Sequence, residues 1–587
     1  VSAFVVDSLP VIAALGVPLV LTLGVMWPTS RAVALWLAPW AALPTVWLAL
    51  ASGTPVDWKP VLLGMRLYAD DEITRTFLLF TGALWLLSGL FAHGYLREDG
   101  HRVSFWGFFL STLMGNVGAV LAQDVASFYL FFAMMTFCAY GLVVHERTPR
   151  AARAARVYLV MALLGEALLL AAFFLIAGTR IDLALAEVPR WVAQSPHRDL
   201  ISALILVGFG VKVGAIPLHL WLPLAHPVAP TPASAVLSGT IIKVGVLGWL
   251  RFLPLGFASL VGVGSVCVVV GLASAFYGVA VGLTQRDAKA VLAYSSISQM
   301  GFLTLAVGLA LGAPEAASAL VVAVLVYATH HSLAKGLLFL GTGLLPATGR
   351  GGWRGAVVLV GLGWAALEIA GAPLTSGAWA KLTLKSAEAA AHASDALPTL
   401  LSLAAVGSSL IMARFLVRVV PGTAKEGKGG AGVLLASWVL LLAVDTGVFL
   451  RPPVGAAELP PLLEAKNLVS AAWPVLLGLL LSVLAVLFAR RRAWRVPEVP
   501  PGDLLWFVER LVHPVWAFMT RETDQVVPEP EEETWGDRML DRFARLRAKL
   551  LHEADDGEAN LRQLSHVGLA LLLFLGVFLY LVARSAP

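Results

Sequence analysis

Four lysines sit inside long apolar runs: Lys212 in GFGVKVGAIPLHLWLP, Lys243 in SAVLSGTIIKVGVLGWLRF, Lys335 in YATHHSLAKGLLFLGTG and Lys381 in LEIAGAPLTSGAWAKLTLK. His331 stands one turn before Lys335 on the same helical face, and Glu166 lies at the middle of LVMALLGEALLLAAFF. A charged side chain at bilayer depth costs roughly 2.5–3.5 kcal/mol even on the lenient insertion scale. Several in one chain imply a polar, hydrated path through it. A lysine that gains and loses a carboxylate neighbour can load and release a proton, and an imidazole titrates close to neutrality. The chemistry these residues suggest is therefore a proton relay through Lys212, Lys243, His331, Lys335 and Lys381, with a buried structural ion pair as the alternative for each lysine. His330, Glu368 and Asp445 are further embedded candidates without a fixed place, although Glu368 is one turn before Gly371 and could serve Lys381. Lys385 reads as snorkelling to the outer interface. His219 and His226 read as structural hydrogen-bonders, since no acidic partner gives them metal-ligand spacing.

Positioning such groups at depth requires membrane helices, and the composition supplies them. Of 587 residues, 58% are apolar and 13% are charged, with a mean hydropathy of +0.81, against roughly 25% charged residues in soluble domains. Disorder is excluded by the same figures. The net charge of +5 is dispersed, and no clustered basic face marks a nucleic-acid binder. Cys138 and Cys267 both lie in apolar runs, so neither a disulfide scaffold nor a cysteine metal site organises the chain. The opening VSAFVVDSLP lacks the basic start of a cleavable signal peptide.

About sixteen segments are long and apolar enough to span a bilayer, starting near residues 9, 31, 73, 104, 125, 156, 200, 229, 258, 288, 316, 355, 397, 431, 468 and 565. Long apolar runs, rather than short alternating ones, indicate helices and not a barrel. Basic clusters at Arg97/Arg102, Arg147–Arg156, Arg286/Lys289, Arg350/Arg354, Arg418/Lys425/Lys428 and Arg490–Arg495 all follow odd-numbered spans. The positive-inside rule then places those loops in the cytoplasm of a bacterial or archaeal inner membrane and both termini outside. Between residues 491 and 564 the chain turns charge-rich. Met539, Leu540, Phe543, Leu546, Leu550 and Leu551 recur there at helical spacing among Asp541, Arg542, Arg545 and Arg547. This is an amphipathic helix lying along a membrane or protein surface, or a solvated linker helix.

Two spans are interrupted alike, at Gly214-Ala215-Ile216-Pro217-Leu218 and at Gly371-Ala372-Pro373-Leu374. Proline removes a backbone donor and clashes with the preceding turn, so both helices should break there. Matching broken helices in two halves of a membrane protein point to an ion site near the midplane. The expected organisation is N-terminal helices over 1–103, a first five-helix repeat over 104–254, and a second over 255–420. C-terminal helices over 421–490, the charged segment 491–564 and a final span over 565–587 complete it.

The runs GFGVKVGAIPLHLWLPLAHPVAPTPASAVLSGTIIKVGV, LTQRDAKAVLAYSSISQMGF and HSLAKGLLFLGTG, with AGAPLTSGAWAKL, resemble the antiporter-like membrane subunits. That family includes the proton-pumping subunits of respiratory complex I, large Mrp-type sodium/proton antiporter subunits and membrane subunits of formate hydrogenlyase-type hydrogenases. The resemblance spans roughly residues 70 to 420, and LAHPVAPTPASAVLSG is most similar to the hydrogenase branch. It implies an all-α polytopic fold with two inverted five-helix repeats and a lateral helix. It also implies relay roles for Lys212, Lys243, His331/Lys335 and Lys381. One position departs from the family pattern. A glutamate is usual seven residues before a tyrosine on the fifth helix, whereas FYLFFAMMTFCAY has Ala133 seven before Tyr140. Glu166 on the next span is the expected replacement partner for Lys212.

No Rossmann fingerprint and no cysteine set for an iron–sulfur cluster is present, so no cofactor or metal is expected in this chain. The resulting expectation is a proton-translocating subunit of a redox-driven complex. Partner membrane subunits, a second antiporter-like subunit or a hydrogenase- or complex I-type one, would carry the redox chemistry. The alternatives are a component of Mrp-type sodium/proton exchange and a membrane subunit energising bicarbonate uptake with a zinc-containing partner. Lysines and histidines suit protons, whereas sodium wants clustered oxygen ligands.

Overall fold

The computed structural model describes residues 2–51, 53–57, 65–178, 183–391, 394–420, 431–451, 459–492, 499–502 and 504–505. The amphipathic segment and the final span expected beyond residue 505 lie outside the described residues. Within them, 14 helices are long and apolar enough to cross a membrane. They coincide with 14 of the segments expected from hydropathy. A fifteenth, Arg198–Val213, has only 16 residues, about 24 Å at the α-helical rise. It stops short of a roughly 30 Å hydrocarbon core because it breaks where the sequence says it should.

The helices sort by burial. Thr231–Phe252 and Ala288–Gly312 are wholly enclosed, whereas Ala465–Ala489 is 22% buried and Ala431–Leu450 33%. An apolar helix that keeps most of its surface outward faces lipid or another subunit, and the enclosed pair forms the core. Those enclosed helices and the long helix Ala317–Thr348 carry Lys243, His331 and Lys335, so the charged groups lie where protein excludes lipid.

Three polar ties fix the core helices. Arg251 donates to both oxygens of Asp71 at 2.9 and 2.8 Å and to Thr74 at 2.7 Å. This pins the end of Ile242–Phe252 to the start of Glu72–Tyr95, where Asp71 also caps the helix through the Thr74 amide. The Trp85 indole donates to Asn116 at 2.7 Å. The Trp438 indole donates to the Leu337 carbonyl at 2.9 Å, fastening Ala431–Leu450 against the central helix. On one side of the bundle the loops are knitted together by backbone bonds from Tyr68 to Leu121, Gln123 to Arg66 and Leu185 to Gln123. A two-residue antiparallel pair, Val56–Asp57 with Arg66–Leu67, belongs to the same loop region.

The two breaks share one backbone solution. Gly214 and Gly371 both adopt left-handed φ, +78° and +85°, a conformation that costs other residues about 1–2 kcal/mol. In each, the amides of the glycine and of the next residue converge on one carbonyl, Gly210 at the first break and Leu367 at the second. The chain then resumes as Leu222–Val228 after the first break and as Ser376–Ala390 after the second. Thr375 caps the latter by accepting from the Ala378 amide.

Candidate functional site

Glu166 and Lys212 are brought together by a glycine crossing. Helix Pro149–Ala177 packs on Arg198–Val213 so tightly that a Cβ on Gly165 would lie 3.0 Å from the Gly208 carbonyl oxygen, and one on Gly208 3.1 Å from that of Gly165. Small residues let helices approach to backbone contact. Glu166 follows one of these glycines directly, and Lys212 is one turn past the other. The two buried charges interact electrostatically, but neither Glu166 oxygen accepts a hydrogen bond from a donor among the described residues. Lys212 donates instead to the Tyr158 hydroxyl at 3.2 Å, which itself donates to the Thr136 carbonyl at 2.8 Å. The ammonium lies 5.5 Å and 5.2 Å from the ring centres of Phe132 and Tyr158. The side chains of Tyr129 and Thr136 also face Glu166. Both flank the buried Ala133 on the same helical face. The carboxylate of Glu166 thus projects toward the face where the family pattern would have placed one on the neighbouring helix.

The central lysines are joined through hydroxyls and carbonyls. Residues Leu237–Ile241 form a π-helical turn, which opens the α-helical ladder and frees carbonyls. Lys243, five residues beyond Ser238, returns its ammonium to the Ser238 carbonyl at 2.5 Å. The Ser238 and Ser296 hydroxyls meet at 2.9 Å, and Ser296 donates to the Leu292 carbonyl at 3.1 Å. Lys335 donates to that same carbonyl at 2.8 Å. A polar line Lys243–Ser238–Ser296–Leu292–Lys335 therefore crosses three helices, with all five residues fully buried. His331 has no hydrogen-bond partner on either ring nitrogen among the described residues and faces both lysines. Buried polar atoms without protein partners are where water belongs.

At the second break Lys381 reaches back over Gly371 and donates to the Ile369 and Ala370 carbonyls at 3.1 and 2.6 Å. These are terminal carbonyls of the preceding half-helix, whose dipole is negative there. Glu368 does not serve Lys381. Its carboxyl turns toward Asp445 and Ser376, because the carbonyls already satisfy the ammonium. His330 contacts Ser376 through Nδ1 at 2.8 Å. Lys385 is half-buried and donates to Ser470 at 3.2 Å rather than leaving for the interface, because Ser470 offers it an oxygen. Lys381, Lys385 and Ser470 line one cavity of about 20 Å³, room for about one water molecule.

His226 differs from its sequence reading: among the described residues its ring makes no hydrogen bond, and it stacks on Phe339 at 4.6 Å and faces Lys243, Lys289 and Lys335. His219 packs against Tyr277 at 5.2 Å. Tyr158, Ser238 and Ser296 were missed by sequence reasoning, because a hydroxyl in an apolar run carries no signal of its partner.

The chain matches the family described as "NADH:quinone oxidoreductase/Mrp antiporter, TM" over residues 122–406. It is 33% identical over 294 residues to hydrogenase-4 component B of Escherichia coli (strain K12), covering 47% of this chain and 42% of that protein. It is 27% identical over 419 residues to a hydrogenase-4 component F homolog of Methylacidiphilum infernorum (isolate V4), covering 65% of this chain and 86% of that protein. The chain spans about half the length of the curated relatives it matches at 33% identity. In fold it is similar to a chain of the Mrp complex from Dietzia sp. DQ12-45-1b, with a TM-score of 0.70, 23% identity and coverage of 90% of this chain and 64% of that one. Residues 122–406, and with them Glu166, Lys212, Lys243, His331, Lys335 and Lys381, match the NADH:quinone oxidoreductase/Mrp antiporter transmembrane family, and the chain is a polytopic membrane protein similar to the antiporter-like subunits.

Proposed function

We propose that this chain translocates protons as a membrane subunit of a multi-subunit, redox-driven complex of the hydrogenase or complex I type. The halves 104–254 and 255–420 act as two half-channels, each ending at a helix break. The observation that carries the reading is the buried line from Lys243 through Ser238, Ser296 and the Leu292 carbonyl to Lys335. Lysine ammonium groups held by neutral oxygens can each lose a proton without breaking an ion pair, and the serine hydroxyls supply donors and acceptors between them. Glu166 and Lys212 form one end of the relay, where the carboxylate holds the lysine's charge. Lys381 forms the other, against the half-helix carbonyls and beside the cavity shared with Lys385. The electron carriers belong to partner subunits, as the relationship to hydrogenase-4 component B suggests. The basic loops after odd-numbered spans support a cytoplasmic position for that side in a prokaryotic inner membrane.

The test is Lys335→Ala in membrane vesicles containing the assembled complex, with co-purification of the partner chains as the assembly control. Proton translocation should fall at least tenfold while assembly is kept. Undiminished acidification by an assembled Lys335→Ala complex would refute the reading. Translocation that follows sodium and persists when a protonophore collapses the proton gradient would move the protein to sodium exchange.

A further inference from the structure

Two acids sit outside the line described above, and their surroundings are built rather than incidental. Glu368 is 1% exposed and Asp445 1%. They come from helices Gly352–Ala370 and Ala431–Leu450, and their carboxyls are within hydrogen-bonding reach of each other. Neither Asp445 oxygen receives a hydrogen bond from a donor among the described residues, and Oε2 of Glu368 receives none. The Ser376 hydroxyl faces Glu368 and contacts His330 Nδ1 at 2.8 Å. On its other side, His330 Nε2 is buried without a hydrogen-bond partner among the described residues. His330, Ser376, Trp379 and Asp445 line a single cavity of about 20 Å³, enough for about one water molecule. Position 377 admits only glycine, because a Cβ there would collide with the Glu368 carbonyl and lie 3.0 Å from His330 Cε1. The start of the second half-helix is therefore seated directly on the main chain of Glu368 and on the His330 ring. Asp445 lies beyond the family match, which ends at residue 406.

Two carboxylates in contact within a low-dielectric interior cannot both stay ionised. Among the described residues no lysine or arginine acts on the pair. Lys381 and Lys243 act on His330 from the helices packed around it, and Trp364 and Ser376 are the other polar groups facing Glu368. We propose that Glu368 and Asp445 hold one proton in common and exchange a second with His330 through Ser376, forming a proton-holding branch beside the second helix break. When His330 is an imidazolium, its Nδ1 proton passes to the Ser376 oxygen as the serine hydroxyl proton passes to Glu368. The imidazole becomes neutral, the pair goes from one negative charge to none, and serine is unchanged. The branch deepens the proton-translocation reading and depends on it for its physiological role, but the shared proton can be read independently of transport.

The experiment is infrared difference spectroscopy of the full chain in lipid nanodiscs, following the carbonyl stretch of protonated carboxyl groups on exchange into deuterated buffer. Wild type should show one such band from the pair. Asp445→Asn and Glu368→Gln should each abolish or shift that same band, while Glu166→Gln leaves it in place. Ser376→Ala, which keeps both acids, should slow the deuterium shift of the band at least tenfold, and it serves if either acid variant fails to fold. The absence of a band in wild type, a band indifferent to both substitutions, or an exchange rate unchanged in Ser376→Ala would each overturn the proposal. If the band behaves as described and Lys335→Ala still translocates, the branch stands and the translocation reading falls.

Discussion

Gly371 and Gly214 make a matched pair for asking whether the position of Lys381 matters. Both have left-handed φ, so alanine at either costs about 1–2 kcal/mol in backbone conformation. Their surroundings differ. A Cβ on Gly214 would meet Leu222 Cδ1 at 3.4 Å, an ordinary contact. A Cβ on Gly371 would lie 2.7 Å from Lys381 Cδ and 3.2 Å from both Cε and Nζ. Carbon atoms rest about 3.5–4.0 Å apart, so the lysine stem must retreat by roughly 1 Å. The ammonium then loses its 2.6 Å bond to the Ala370 carbonyl. A hydrogen bond from a charged group contributes about 1.5–3 kcal/mol, which makes the correctly seated ammonium about 10- to 100-fold rarer. Both variants should lose the backbone term in thermal unfolding, and Gly371→Ala should lose about 1.5–3 kcal/mol more with that bond. Only Gly371→Ala should lose proton translocation, by about 10- to 100-fold, in vesicles holding the assembled complex. Equal translocation by the two variants would refute the argument that the carbonyl-seated ammonium is what the second break provides.

Two further expectations follow from the first half. Glu166→Gln should cut translocation at least tenfold, and adding Ala133→Glu should restore part of it, because Tyr129 and Thr136 flank Ala133 and already face the Glu166 carboxylate. Recovery is read as the acidification rate of the double variant against Glu166→Gln alone. Gly208→Ala places a Cβ 2.7 Å from Leu169 Cγ and 3.1 Å from the Gly165 carbonyl oxygen. Overpacking of this kind costs about 1–3 kcal/mol, and the widened crossing should separate Glu166 from Lys212. Gly107→Ala, which meets nothing within 4 Å, is the control that should leave thermal stability and acidification unchanged.

What could be read from sequence was set by cost. A lysine in an apolar run is expensive enough to be noticed, and Lys212, Lys243, Lys335 and Lys381 all lie buried where hydropathy put them. The breaks were equally legible, because Gly-Ala with a following proline has few backbone solutions. The partners were not. Ser238, Leu292, Ile369 and Ala370 act through main-chain carbonyls, which every residue carries and no side-chain pattern advertises. Serines such as Ser238 and Ser296 are common in membrane helices, and only the packing of their two helices makes these two meet. The assignment of Glu368 failed for the same reason. Proximity along the chain favoured Lys381, but the contact is with Asp445, on a helix placed by the Trp438–Leu337 tie.

The two breaks, alike in backbone, treat their lysines in opposite ways, and this separates their roles. Lys212 belongs to the half-helix that precedes its break, yet its ammonium turns sideways to Tyr158 and the aromatic rings, with Glu166 the nearby negative charge. Its charge therefore depends on a group that can itself be protonated. Lys381 lies past its break and is held by the carbonyl ends of the preceding half-helix, whose dipole does not titrate. Protonation of Glu166 removes the electrostatic support of Lys212, whereas nothing comparable switches off the seat of Lys381. A proton arriving at the first half thus changes the energy of the next lysine, and one arriving at the second meets a fixed acceptor geometry beside the Lys385 cavity. In the relay proposed above, that asymmetry sets a direction that the matched backbones alone would not.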